Sequence, residues 1–198
     1  MRASACVVIL AVSAVQLCCG PGTGRLIFDA KVSDLRKPGN ALANHKRADD
    51  TVEIALPGRL LTPPMTIQPI DRAASDWSTP EHAVATIISA NLSGNPSWMV
   101  ENYLPPERDQ TVQLLSGPLA VERTRDYYRN LGKIEMYGWA DLHGLRVVFL
   151  RGVDPDGDVT LLTLTLSKTA SGWKQTNALA QDDTFDLVWT ALHTDGVH

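Results

Sequence analysis

Between Lys133 and Leu179 the chain alternates apolar-rich runs with turn chemistry, and no other feature constrains its fold as tightly. Lys133 to Leu142 alternates in polarity, and His143-Gly144 turns it into Leu145 to Val153, rich in Val, Leu and Phe. Asp154-Pro155-Asp156-Gly157-Asp158 leads into Val159 to Lys168, and Thr169-Ala170-Ser171-Gly172 into Trp173 to Leu179. Turns this short join antiparallel neighbours. The pattern predicts an antiparallel sheet, with Thr184 to His193 as its last strand. Along Val159 to Lys168, Leu162, Leu164 and Leu166 face one way and Leu161, Thr163 and Thr165 the other. One face is therefore buried and the other left half polar.

Upstream the periodicity is helical. Ser78 or Thr79 caps a helix whose first turn holds Pro80 and Glu81 and whose apolar face is Val84, Ile87, Ile88 and Leu92. Gly94 stops it. Asn95-Pro96-Ser97 restarts a short helix carrying Trp98, Met99 and Tyr103, which Pro105-Pro106 ends. Thr111 to Leu115 reads as a strand. A third helix, Leu119 to Leu131, presents Val121, Thr124, Tyr128 and Leu131 on one side and ends at Gly132. Before Trp77, Leu26-Ile27-Phe28 and Thr51 to Leu56 are short strand signals, while Pro57-Gly58, Pro63-Pro64 and Pro69 exclude a long helix. So few aromatics cannot bury a separate core, so this stretch is expected as an extended arm, partly docked.

The first residues carry a different message. After Met1-Arg2 an apolar run extends from Ala3 to Cys19, broken by Ser4, Ser13 and Gln16, and a Gly20-Pro21-Gly22-Thr23-Gly24 tether follows. One positive charge before a short apolar run is the pattern of an export signal, and the run is short for a spanning helix. The three cysteines, Cys6, Cys18 and Cys19, all lie inside it, so the body of the chain has no disulfide framework. An apolar run, a cysteine and a Gly-rich tether together resemble a bacterial lipoprotein signal, which implies lipidation at Cys18 or Cys19. A small residue usually precedes the modified cysteine; here Leu17 precedes Cys18 and Cys18 precedes Cys19. Soluble secretion and a retained signal anchor are the other outcomes.

The order helix, short helix, strand, helix and then long antiparallel strands resembles the nuclear transport factor 2-like superfamily, the cone-shaped α+β fold also called polyketide cyclase-like. The residues that carry the likeness are Thr79-Pro80-Glu81, Gly94, Trp98 to Leu104 and Ser171-Gly172-Trp173-Lys174, within Ser78 to His193. The resemblance implies three N-terminal helices packed on a curved antiparallel sheet around a pocket. Together with the residue patterns upstream, this gives a signal at 1–19, a tether and arm at 20–76, and an α+β domain at 77–198. Catalysis, binding and assembly all occur in that superfamily, so it selects no activity.

Catalytic relatives need an acid or base projecting into the cone, and Asp141 and His143, with Tyr127, Tyr128 and Tyr137 as donors, are the candidates. Asp141 and His143 share strand parity, but His143-Gly144 is a turn, where polar groups are solvated. The Asp154 to Asp158 run suggests a calcium loop, yet Thr165 stands where the bidentate Glu belongs, so a plain hairpin explains it. Arg123, Arg125 and Arg129 alternate with Glu122 and Asp126, as on a solvated helix face. His45, His82, His193 and His198 lack the spacing and partners of a zinc site, and no phosphate loop or nucleophile elbow occurs. No metal and no cofactor is expected. Trp98, Tyr103, Tyr128 and Trp139 are the candidate pocket residues; Trp77 and Trp173 are expected to pack. The 198 residues carry a net charge of −4, which argues against nucleic acid or an anionic membrane surface as the main partner.

These features point to an exported, envelope-tethered, non-enzymatic domain that binds a small apolar ligand or an envelope protein, with a homodimer compatible. It would meet the membrane only through its N-terminus. A small isomerase, dehydratase or cyclase using Asp141 and His143 is the alternative. A structural subunit of an envelope or secretion assembly is the third reading.

Overall fold

The computed structural model describes residues 24–198, so Cys18, Cys19 and the rest of the expected signal lie outside the described residues. Among the described residues, six strands form one sheet: β1 (Gly24–Lys31), β2 (Thr51–Thr66), β3 (Lys133–Leu142), β4 (Leu145–Val153), β5 (Val159–Thr169) and β6 (Gly172–Gln175). They stand side by side in chain order, each antiparallel to its neighbours. Helices α1 (Pro80–Ser93), α2 (Pro96–Glu101), α3 (Arg108–Leu115) and α4 (Ala120–Asn130) come between β2 and β3, and α5 (Asp183–His193) follows β6. No helix among the described residues is long and apolar enough to cross a membrane.

Local chemistry accounts for the element ends. Thr79 caps α1 by accepting from the His82 N–H, and Gly94 closes it in the left-handed region at φ +67°. Asn95 caps α2 through the Trp98 N–H. His143 and Gly144 both take positive φ, +52° and +76°, the two-residue turn whose twist matches the flanking strands. Asp154 Oδ1 accepts from the backbone N–H of Asp156 and of Asp158, so its own carboxylate closes the β4–β5 turn.

The sheet is covered on both faces. Val84, Ile87 and Ile88 of α1 pack against Met136, Val148, Leu150, Leu164 and Leu166. On the opposite face Val188, Ala191 and Leu192 of α5 pack against Phe28, Ala140, Val147 and Phe149. A register shift between Met136 and Gly138 leaves Tyr137 as an extra residue and exchanges the parity of β3. Trp139 therefore shares the α1 face with Met136.

This corrects the expected architecture of three N-terminal helices on a curved sheet behind an extended arm. Two strands precede the helices, and residues expected as an arm build β1 and the 16-residue β2, which joins β1 to β3. The reason is burial: Leu26, Phe28, Ala30 and Val52 bring apolar side chains the core needs. Pro63 and Pro64 do not break β2 because they fall where its ladder with β3 is interrupted, between Leu60 and Met65. Thr111–Leu115 is helical within α3, where helix-forming Arg108, Gln110, Gln113 and Leu114 surround two β-branched residues. Thr184–His193 is helical too. Asp182 caps α5 by accepting from the Phe185 N–H, and Leu187, Val188, Ala191 and Leu192 then fall on one face. The strand expected from Trp173 to Leu179 ends at Gln175.

Candidate functional site

Asp141 and His143 sit at the β3–β4 hairpin, and no ion pair joins them among the described residues. Both Asp141 oxygens are engaged by Arg146, Nε to Oδ1 at 2.9 Å and Nη2 to Oδ2 at 3.1 Å. The Arg146 guanidinium lies 3.9 Å from the Trp139 ring and 5.2 Å from that of Trp173, a cation–π arrangement that fixes its plane. His143 is exposed and its Nε2 is 3.3 Å from Oδ2 of Asp182, the residue that caps α5. A carboxylate held by arginine and a solvated imidazole facing a different acid do not make an acid–base couple. No group of three or more His, Cys, Asp or Glu among the described residues is placed to hold a metal ion.

The candidate pocket aromatics separate into different environments. Trp98 is buried with Met99 and Ala90 against Leu115 and Val121, and its indole N–H has no hydrogen-bond partner. Trp139 lies beneath Arg146. Tyr128 packs edge-on against Tyr127, ring centroids 5.5 Å apart, while Tyr103 is partly buried beside α2. Burial pushes the Tyr103 and Tyr128 phenols up, Tyr128 far above the usual range, with Tyr103 and Tyr127 adding to its shift. Tyr137, on the α5 side, is likewise pushed up by burial to about 12.

Tyr128 also lines a feature that the sequence reading did not name. β6 pairs with β5 only from Leu166 to Thr169, so the preceding half of β5, from Val159, stands at a sheet edge. Thr165 accepts from the Thr176 N–H on that side, and strand alternation turns the backbone of Thr163 and Leu161 the same way. No strand pairs with Leu161 or Thr163 there among the described residues. Tyr127 and Tyr128 of α4 stand on one side of this edge and Trp189 of α5 on the other, around a slot of about 390 Å³. Arg36, 3.6 Å from the Trp189 ring, and His193, stacked at 3.7 Å, brace that wall. The available signal was Val159-Thr160-Leu161-Leu162-Thr163-Leu164, a strand with no Lys, Pro or Gly to protect an edge.

A second concavity, about 430 Å³, lies between α2 and α3 and is walled almost entirely by apolar groups, including Pro96, Val100, Val112 and Leu115. Val112, Leu114 and Leu119 are exposed beside it. Near the opposite end of α2, Lys174 is buried, with Nζ donating to the Glu101 carbonyl at 3.1 Å and lying 3.5 Å from the Trp77 ring. Loss of hydration, with Arg108 adding, pulls its ammonium down to about 8.

No family model matches the chain, and no curated protein matches it. Among solved structures, a SEC-C motif containing protein from Rhodopseudomonas palustris is similar over 50% of this chain and 75% of its own, at 14% identity and a TM-score of 0.34. A likeness that slight assigns neither fold nor function.

Proposed function

We propose that this chain is a non-enzymatic binding domain of the cell envelope that takes a protein partner at the open edge of β5. One observation carries the reading: backbone donors and acceptors at Leu161 and Thr163 that no other described residue engages stand in a slot walled by Tyr127, Tyr128 and Trp189. Aromatic walls supply apolar area and the edge supplies directed hydrogen bonds, the combination by which sheets bind extended chains. Against the isomerase, dehydratase or cyclase reading, Asp141 is engaged by Arg146 and His143 faces Asp182. The pattern from Met1 to Gly24 supports export, with a lipid at Cys18 or Cys19 as the tether. A photo-crosslinking residue at Val159 in the native host is expected to trap a discrete protein adduct. Adducts that form only when the same residue stands at Val112 would overturn this reading.

A small apolar ligand in the α2–α3 groove is the second reading, favoured by its apolar walls. It predicts a lipid or small-molecule adduct at Val112 and none at Val159.

A further inference from the structure

The outer edges of β1 and β6 are covered in part by the chain itself. Along β1, Ile27 exchanges backbone hydrogen bonds with His198, and the Asp29 N–H donates to the Gly196 carbonyl. Along β6, Trp173 donates to the Trp77 carbonyl, Gln175 to that of Asn102, and Leu104 to that of Gln175. Among the described residues the edge from Val159 to Leu164 has no such cover, and it carries no lysine, proline or bulge of the kind that keeps foreign strands away. Tyr127 and Tyr128 on one side and Trp189 on the other, with Thr163 and Gln175 as polar neighbours, give each face of an added strand an aromatic surface to pack on. The edge also has unequal ends. At its start stand Asp156 and Asp158, both exposed; at its finish Thr176 blocks Thr165, and Glu107 holds the Thr176 hydroxyl and the Asn177 N–H.

We infer that the occupant is an extended segment of a partner protein, apolar on both faces, that pairs antiparallel with Val159–Leu164 and carries basic residues immediately after its apolar run. This rests on the β5 edge being the binding site. The antiparallel sense continues the pattern of the whole sheet, and it brings the C-terminal end of the added strand to Asp156 and Asp158. Charge also decides against a second copy of this chain. Two β5 edges paired antiparallel would bring the Asp156 and Asp158 end of each toward the Glu107 end of the other, acid against acid twice over.

The test uses the full chain in neutral detergent and two capped peptides, Val-Ile-Val-Ile-Val followed by two lysines or by two glutamates. The lysine peptide is expected to slow amide exchange at Leu161 and Thr163, and the glutamate peptide to bind about tenfold more weakly. Methylating the peptide nitrogens that face β5 should abolish binding. Thr163→Pro removes an outward N–H without breaking the β4 ladder and should block the lysine peptide, as should Thr163→Lys. Equal binding of the two peptides, with Leu161 and Thr163 protected by both, overturns the basic partner while the edge stands as the site. Failure of both to protect these amides overturns the edge itself. A dimer in sedimentation of the chain alone, dissolved by Thr163→Pro, would replace the partner with a second copy.

Discussion

Replacing Asp186 is expected to release the loop between β1 and β2 from α5. Asp186 is 3% exposed, and its carboxylate accepts from the Lys37 N–H at 3.1 Å, Asn40 Nδ2 at 3.0 Å and Arg36 Nε at 3.3 Å. Hydrogen bonds to a charged acceptor contribute about 1.5–3 kcal/mol each. Two qualifications reduce the sum. Asn40 Nδ2 keeps a second bond to the Asp183 carbonyl, and the Arg36 side chain is 45% exposed and is hydrated when freed. Asp186→Ala should therefore cost about 2–4 kcal/mol, a large share of a domain's stability. Asp186→Asn keeps one carbonyl acceptor and should cost roughly half as much. Equilibrium urea unfolding measures the loss, and amide exchange should rise first across Val32–Asp50, where Leu35 and Leu42 pack near Leu187. A loss below about 1 kcal/mol for Asp186→Ala, with exchange there unchanged, would refute the view that this carboxylate anchors the loop.

Three further outcomes are expected. Gly196→Ala would drive a Cβ into the Asp29 carbonyl, peel the C-terminal residues from β1, cost about 1–3 kcal/mol and make the chain self-associate at high concentration; sedimentation and urea unfolding check both effects. Asp141→Asn and His143→Gln should each change stability by under about 1 kcal/mol, checked by urea unfolding. The Lys174 ammonium should titrate near 8, below its ordinary 10.5. Between those values the unfolded chain binds the extra proton, so stability should rise with pH in that window, a slope that Lys174→Met should remove.

What the sequence disclosed was the part governed by local rules. The His143-Gly144 turn, the Thr79 and Gly94 ends of α1 and the two-sided pattern of β5 each follow from neighbouring residues, and each forms as expected. The misassigned elements depend on partners far away. Leu187-Val188-Trp189 has the same short apolar run in a strand or a helix, and only the Asp182 cap and the spacing to Ala191 and Leu192 separate the two. β1 and β2 resemble an arm in sequence because aromatics are few there and β2 holds prolines, of which Pro63 and Pro64 fall in an interruption of the ladder that only the fold reveals. The slot was legible only in half. An unprotected β5 can be seen in Val159–Leu164, but that β6 stops at Gln175, and that Tyr127, Tyr128 and Trp189 gather beside the gap, are consequences of tertiary packing.

The most direct measurement is amide hydrogen exchange at Leu161 and Thr163, in the isolated full chain and in native envelope membranes containing it. Fast exchange in isolation and at least about tenfold slowing in the envelope, abolished by Thr163→Pro, is the result expected of an edge that a partner strand completes. Amides that are already slow in the isolated chain, or equally fast in both settings, would contradict it.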